Sequence, residues 1–440
     1  MVPSKYNLIT EISPDQFAVY NSLSGAFDIA NLEEKERFEK GIPFSEDEKQ
    51  FWLERGYYFD SKQKEEEYIQ TRWEDFQIES SKNGVQFLLV GSYACNFACP
   101  YCYQGGIANK EDILSDEKLE AFIQFVIQYR KENKKEVYIT LFGGEPLLKR
   151  NEPMIRKIVE ASKKENIPLS VVTNGYYLKE FLPILKDAPI HEIQVTFDGD
   201  QEIHDKRRVL KDGTKSFQKI FEGLEAALQS FLPLHIRLIT DRETLPSFPA
   251  LAEKLDRIGV LKLPKHLFKT SLGRNYELLD SYQRPKDLFS LDEMYREYTD
   301  LMVKNPILAK LHTPSYFGIT QIVKEREMYL PSFDTCPAGK SEFVFDYSGN
   351  IYGCTASCGR EGYEIGQFYP ELVWNEKALL EWKTRSILTI EECKDCPVGV
   401  VCGGGCGVIA NDENGKVQSP NCKPVKEVMD IGIRYFKDLL

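Results

Sequence analysis

Eleven cysteines stand against five histidines in 440 residues, and they are not scattered. None precedes residue 95; three fall at Cys95, Cys99 and Cys102; none lies between 103 and 335; eight follow between Cys336 and Cys422. Three closely spaced thiolates on one loop can bind three irons of a four-iron cluster. A missing fourth ligand leaves a coordination position open, as reactive metal sites do. A zinc site completed by a distant ligand is the alternative. In the second group Cys336 is followed after twelve residues by Gly349 and after four more by Cys354. Cys393-x2-Cys396-x5-Cys402-x3-Cys406 and Cys422 come next, with Cys358 outside that pattern. A C-x-x-C pair by itself equally suits a zinc ribbon.

The compartment bears on what such thiols do. The start, MVPSKYNLITEISPDQF, has prolines and polar residues where a secretory signal needs an apolar core. No run of about 18 apolar residues occurs, so no membrane span is expected. A cytoplasmic protein follows as the expectation, with thiols reduced and available to metal rather than paired in disulfides. Basic residues number 56 and acidic ones 68, a net charge of −12 that argues against nucleic acid or an anionic membrane as partner.

The elements that must position the first group read as alternating strands and helices. Apolar or β-branched runs occur at Val85–Val90, Val137–Phe142, Leu169–Thr173, Ile193–Phe197, Leu234–Thr240 and Leu261–Lys269. Amphipathic stretches separate most of them, such as Ser115–Arg130, where Ser115 is a suitable N-cap ahead of Asp116 and Glu117. Six strands with intervening helices imply an α/β fold with parallel strands and right-handed crossovers. Six is short of the eight of a closed barrel, so the expectation is an open, partial (β/α)6 barrel over residues 81–330, with a helical segment from Leu291 to His312. Residues 1–80 read as a small α+β module: strands at Tyr6–Ile12 and Phe17–Ile29 around Ser13-Pro14-Asp15, helices capped by Asn31 and Ser45, and a charged helix or linker at Ser61–Ser81. Residues 331–440 read as an irregular cysteine-rich domain, dependent on metal for its fold and ending in a helix from about Val425.

Cys95-x3-Cys99-x2-Cys102, just after the first strand, resembles the C-x-x-x-C-x-x-C signature of the radical S-adenosylmethionine superfamily, with aromatic Tyr101 before the last cysteine. The resemblance implies that the open iron chelates the amino and carboxylate groups of S-adenosylmethionine and that Tyr101 lies beside the adenine. Gly143-Gly144-Glu145-Pro146 after the second strand looks like the family's motif for the methionine amino group, whose ammonium Glu145 would neutralise. Thr173-Asn174-Gly175 at the end of strand three looks like the polar position near the sulfonium and ribose. Asp198-Gly199, with His204-Asp205 following, resembles the D-G-x-x-x-x-H-D run of peptide-modifying members. There Asp198 or His204 faces substrate, or the run is an ordinary turn and helix cap.

The second cysteine group resembles the SPASM extension of the same superfamily. Family connectivity implies one auxiliary cluster on Cys336, Cys354 and Cys406 and another on Cys393, Cys396, Cys402 and Cys422. Some members complete the first from an upstream cysteine, which this chain lacks between 103 and 335. Cys358 is the spare thiol for that position, and an open iron that takes a substrate sulfur is the other outcome. Sulfatase-maturating members carry an aspartate directly after the cysteine matching Cys354; Thr355 stands here, against formylglycine formation.

The resemblance thus implies three [4Fe–4S] clusters, S-adenosylmethionine, an electron donor such as flavodoxin or ferredoxin, and reductive formation of a 5′-deoxyadenosyl radical. That radical takes hydrogen from a substrate, usually a ribosomally made peptide, giving a thioether or carbon–carbon cross-link. A small molecule or a folded protein as substrate, and a non-catalytic zinc or iron–sulfur scaffold, are the alternatives. The N-terminal module resembles leader-peptide recognition domains that add a strand to a sheet edge; a subdomain capping the barrel bottom is the other reading.

Overall fold

The computed structural model describes residues 1–107, 112–274, 285–327 and 330–440. Val85–Val90, Val137–Phe142, Leu169–Thr173, Ile190–Phe197, Leu234–Thr240 and Phe268–Arg274 lie side by side in chain order, all parallel. Helices Asp116–Asn133, Glu152–Glu165, Leu178–Leu185, Phe217–Gln229 and Phe248–Arg257 cover the outer face of this partial barrel. Their buried stripes, such as Leu119, Phe122, Ile123 and Val126, pack with strand residues Phe87, Ile139, Val171, Val195 and Ile236 into one core. Ser115 caps its helix by accepting from the Lys118 amide.

Two of the expected strands move. The sixth lies at Phe268–Arg274 rather than Leu261–Lys269, because Val260–Lys262 folds as a single 3-10 turn and Pro264, which has no amide hydrogen, sits where a ladder donor is needed. The amides of Leu267 and Phe268 instead donate to the Pro264 carbonyl, forming the turn that precedes the strand. The expected Phe17–Ile29 strand is two, Gln16–Asn21 and Phe27–Ala30. Between them the Asn21 side chain accepts from the amides of Leu23 and Ser24, and Gly25 takes a left-handed φ of 78°. Ser61 caps a continuous helix over Lys62–Ser81, and Leu291–His312 is split by Asn305-Pro306 into two helices.

The cysteine-rich region continues the barrel sheet. Glu342–Asp346 pairs in parallel with Val85–Val90, and Asn350–Tyr352, Glu364–Gln367 and Val373–Trp374 extend it antiparallel to ten strands. Phe345 seals this junction, with its ring 4.9 to 6.0 Å from those of Phe87, Phe122, Phe125 and Phe368. The Cys354–Cys358 loop, one turn beyond the strand at 350–352, is thereby carried to the barrel mouth.

The N-terminal three-stranded sheet docks on the cysteine-rich region. Leu8, Ala18 and Tyr20 pack with Val425, Val428, Met429 and Ile433 of the last helix, Val425–Tyr435. Tyr6 and Leu23 pack with Phe333, Ile387, Ile390 and Cys393. The Ser22 hydroxyl donates to the Pro397 carbonyl at 2.8 Å. No helix among the described residues is long and apolar enough to cross a membrane.

Candidate functional site

The loop carrying Cys95, Cys99 and Cys102 leaves the C-terminal end of the first barrel strand, the end at which such folds place their chemistry. It is stitched down on both sides. The Ala98 amide donates to the Val209 carbonyl at 2.9 Å and the Lys211 amide to the Asn96 carbonyl at 3.0 Å, while Phe97 is buried between. On the other side the amides of Gly144 and Glu145 donate to the carbonyls of Ser92 and Ala94, at 3.2 and 2.8 Å. A Cβ on Gly144 would lie 2.2 Å from the Ala94 carbonyl oxygen, and one on Gly143 2.6 Å from that of Ser92. The two glycines are therefore required by close approach of this turn to the cysteine loop, and both also line the cavity beside it.

Glu145 is placed differently from the expectation that it neutralises an ammonium. Its side chain is 1% exposed and accepts from the Thr173 hydroxyl at 2.6 Å, the Leu147 amide at 2.8 Å and the Asn174 amide at 2.6 Å. It ties the second strand end to the third. Burial raises its pKa, and the three donors oppose that rise. Asn174 in turn reaches the cysteine loop, donating to Asn96 Oδ1 at 2.8 Å and lying 3.7 Å from Cys95 Sγ.

Asp198, at 0% exposure, faces protein rather than the cavity. It accepts from Arg207 Nε at 2.9 Å and from the Tyr101 hydroxyl at 2.6 Å, and lies 3.7 Å from Arg208 Nη1. Arg207 also pairs with Asp241 and Glu243, and its guanidinium stacks 5.0 Å from the Tyr101 ring. Tyr101, which lines the cavity, is so fixed in orientation by buried charges, and burial holds its phenol protonated. His204 is likewise internal. Its Nδ1 accepts from the Asp198 amide at 3.3 Å and Nε2 meets the Ser216 hydroxyl at 3.2 Å, so the neutral Nε2–H tautomer fits. Asp200, not Asp198, caps the helix Gln201–Arg207.

The arginines are what sequence reasoning missed. Lys206-Arg207-Arg208 reads as a solvated charge run, yet Arg207 and Arg208 are 5% and 8% exposed. The signal was their place just after the Asp198 turn, where a buried carboxylate must find a partner. Arg208 donates to Tyr101 at 2.9 Å and stacks on Phe97, 5.6 Å from ring centroid to guanidinium.

A cavity of about 300 Å³ collects these parts. Cys95, Cys99, Cys102, Tyr101, Gly143, Gly144, Thr173 and Asn174 line one side, and Thr355 and Ala356 of the second cysteine group reach it from the other. Pro146 follows Glu145 in the buried turn, its carbonyl accepting from Asn151. Arg208 Nε and Gln104 Nε2 are buried donors without partners, and both residues line the cavity. Unmet donors beside three thiols and a glycine turn suit a ligand rich in acceptors, as S-adenosylmethionine is. As free thiols, Cys95 is pushed up to about 11 and Cys99 to about 12 by burial, so holding both as thiolates falls to bound metal.

The second cysteine group divides in space. Cys393, Cys396, Cys402 and Cys422 lie within electrostatic reach of one another. The backbone amide of Gly407, next to Cys406, lies close enough to Cys336 to favour its thiolate, and Cys354 feels both Cys336 and Cys358. All-thiol sets of this kind fit iron–sulfur clusters. Among the described residues no three Cys, His, Asp or Glu side chains converge tightly enough to hold one metal ion. Cys358 is 2% exposed, its Sγ 2.8 Å from the Tyr93 hydroxyl, which also donates to Asp346 at 3.1 Å. Tyr103 stands within reach of Cys102 on one side and Cys354 and Cys358 on the other.

Residues 89–255 match the Radical SAM superfamily. The chain is similar to the radical SAM cyclopropyl synthase TigE of Paramaledivibacter caminithermalis, 24% identical over 75% of this chain and 69% of that protein. It is 34% identical to the GTP 3′,8-cyclase of Aliarcobacter butzleri, over 37% of this chain and 49% of that protein, so it spans about half the cyclase. Native anSMEcpe with bound AdoMet and Kp18Cys peptide superposes with a TM-score of 0.59 at 18% identity, covering 81% of this chain and 98% of that one. Streptococcus suis SuiB bound to its precursor peptide SuiA superposes with a TM-score of 0.56 at 16% identity, covering 96% and 99%. At those identities the two structures show a shared fold.

Proposed function

We propose that this chain, whose residues 89–255 match the Radical SAM superfamily, is an enzyme of that superfamily whose substrate is a ribosomally made peptide on which it installs an oxidative cross-link. The observation that carries this reading is the cavity shared by the first cysteine group and the Thr355-Ala356 segment of the second. A substrate there sits between the loop of Cys95, Cys99 and Cys102 and that of Cys354 and Cys358. The peptide-bound anSMEcpe and SuiB structures support the class of substrate, and TigE, a radical SAM cyclopropyl synthase, supports the class of enzyme. The likeness to GTP 3′,8-cyclases covers 37% to 47% of this chain and gives no comparable support for a nucleotide substrate.

When bound on Cys95, Cys99 and Cys102, the cluster supplies the electron that splits S-adenosylmethionine, and the hard chemistry belongs to that cofactor. The chain's own residues bind and orient. Gly143 and Gly144 let the turn lie against the cysteine loop, Glu145 fixes that turn to Thr173 and Asn174, and Tyr101 is held by Asp198, Arg207 and Arg208 for contact with the adenosyl portion. Cys336, Cys354, Cys358 and Cys406 would hold one auxiliary cluster, and Cys393, Cys396, Cys402 and Cys422 the other. The N-terminal module, docked on the cysteine-rich region, offers the edge strand Phe27–Ala30 to a leader segment, and a flavodoxin or ferredoxin would supply the electron.

Anaerobic reconstitution tests this reading. About 12 irons per chain with matching sulfide, and a mass change in a precursor peptide, support it. A preparation that takes up four zinc ions and alters no peptide contradicts it.

A further inference from the structure

Three arginines line the cavity, Arg208, Arg237 and Arg274, and among the described residues no carboxylate does. S-adenosylmethionine brings one carboxylate, together with a positive sulfonium and ammonium. Arg208 already has Asp198 and Tyr101 as partners and Arg274 donates to the Phe289 carbonyl, which leaves Arg237 as the guanidinium to be accounted for.

Arg237 is the informative member. Along Leu234–Thr240 side chains alternate: Ile236 and Leu238, both 0% exposed, face the helices, so His235, Arg237 and Ile239 face the barrel lumen. The lower layer is neutralised within itself, since His235 bonds Glu192 at 2.9 Å and Lys269 pairs with the same carboxylate. One layer up, Arg237 lies in register with Thr196 and Ser271 and has no hydrogen bond or ion pair among the described residues. The nearby acids are committed elsewhere: Asp198, Asp241 and Glu243 all pair with Arg207. Space is also made for this side chain. A Cβ on Gly273, in the neighbouring strand, would lie 2.7 Å from Arg237 Nε. A guanidinium held across a glycine with its fork unused is suited to bidentate capture of a carboxylate.

Resting on the peptide reading above, we infer that Arg237 recognises a carboxylate of the substrate, an aspartate or glutamate side chain carried into the lumen beside the cofactor cavity. Arg237 is on this account a specificity-determining residue for an acidic peptide segment.

The test uses the reconstituted holoprotein with S-adenosylmethionine bound and two probes, a blocked tripeptide centred on glutamate and its glutamine counterpart, with affinities read by ligand-observed NMR. Wild type should prefer the glutamate probe at least tenfold. Arg237→Met should bring the two probes within twofold of each other, and Arg237→Lys, which keeps the charge without the fork, should fall between. Equal affinities in wild type, or a preference that survives Arg237→Met, overturn the inference. So does a tenfold loss of S-adenosylmethionine affinity in Arg237→Met by equilibrium dialysis, which assigns Arg237 to the cofactor's own carboxylate. None of these readings requires turnover, so failure to modify a peptide would contradict the proposed function and leave this result standing.

Discussion

Glu145 gathers a hydroxyl and two amides on one buried carboxylate, and its replacement separates positioning from direct ligand contact. Glu145→Gln turns one acceptor oxygen into a donor facing a donor, at a cost of about 1–3 kcal/mol. The urea midpoint of the metal-free protein should fall accordingly, and S-adenosylmethionine affinity with it. Lost affinity at unchanged stability would instead mean that Glu145 touches the ligand. The glycines beside it are legible as a motif, but their contact with the Ser92 and Ala94 carbonyls is not, because it is long-range in sequence. Cys358, singled out by counting, is buried against Tyr93 and near Cys354. Cys358→Ala should change the electron paramagnetic resonance of the auxiliary cluster while 5′-deoxyadenosine still forms; an identical spectrum would place Cys358 outside that cluster.

At the scale of elements, the parallel pairing of Glu342–Asp346 with Val85–Val90 makes barrel and cysteine-rich region one sheet. Phe345→Ala removes a fully buried ring from that seam and should cost about 3–5 kcal/mol, with both regions losing stability together in one denaturant transition. Separate transitions, with the barrel unaffected, would contradict a shared core. This strand was invisible in the sequence because its partner lies some 250 residues earlier and its run, Glu342-Phe343-Val344-Phe345-Asp346, reads as any short strand. The five barrel strands through Leu234–Thr240 are legible from apolar or β-branched runs, whereas the sixth slips where Pro264 displaces it. Buried histidines make stability depend on pH. His312 is pushed down to about 4 and His204 also lowered, each chiefly by burial. Both stay neutral in the fold and take a proton on unfolding, so their stabilisation is present above the unfolded value near 6.5 and is lost as pH falls toward 4. Denaturant midpoints should drop between pH 7 and 5, and a flat profile would contradict that assignment.

For the whole molecule, the division of cysteines into three and eight already separates the two cysteine-bearing regions, since thiol spacing on a loop is a local property. What spacing alone could not show is that the barrel sheet carries the Cys354–Cys358 loop to the mouth where Cys95, Cys99 and Cys102 emerge. Nor could it show that the N-terminal module rests on the last helix through Leu8, Ala18 and Tyr20. The central claim is that the first group of three, and not the second group of eight, is where S-adenosylmethionine is cleaved. It is tested most directly by 5′-deoxyadenosine release under an anaerobic low-potential reductant, comparing wild type with the Cys95→Ala, Cys99→Ala, Cys102→Ala triple variant after reconstitution. Wild type should release 5′-deoxyadenosine, and the variant should release none while retaining about eight of its 12 irons. Release from the variant at the wild-type level, or none from a fully loaded wild type, would contradict the account.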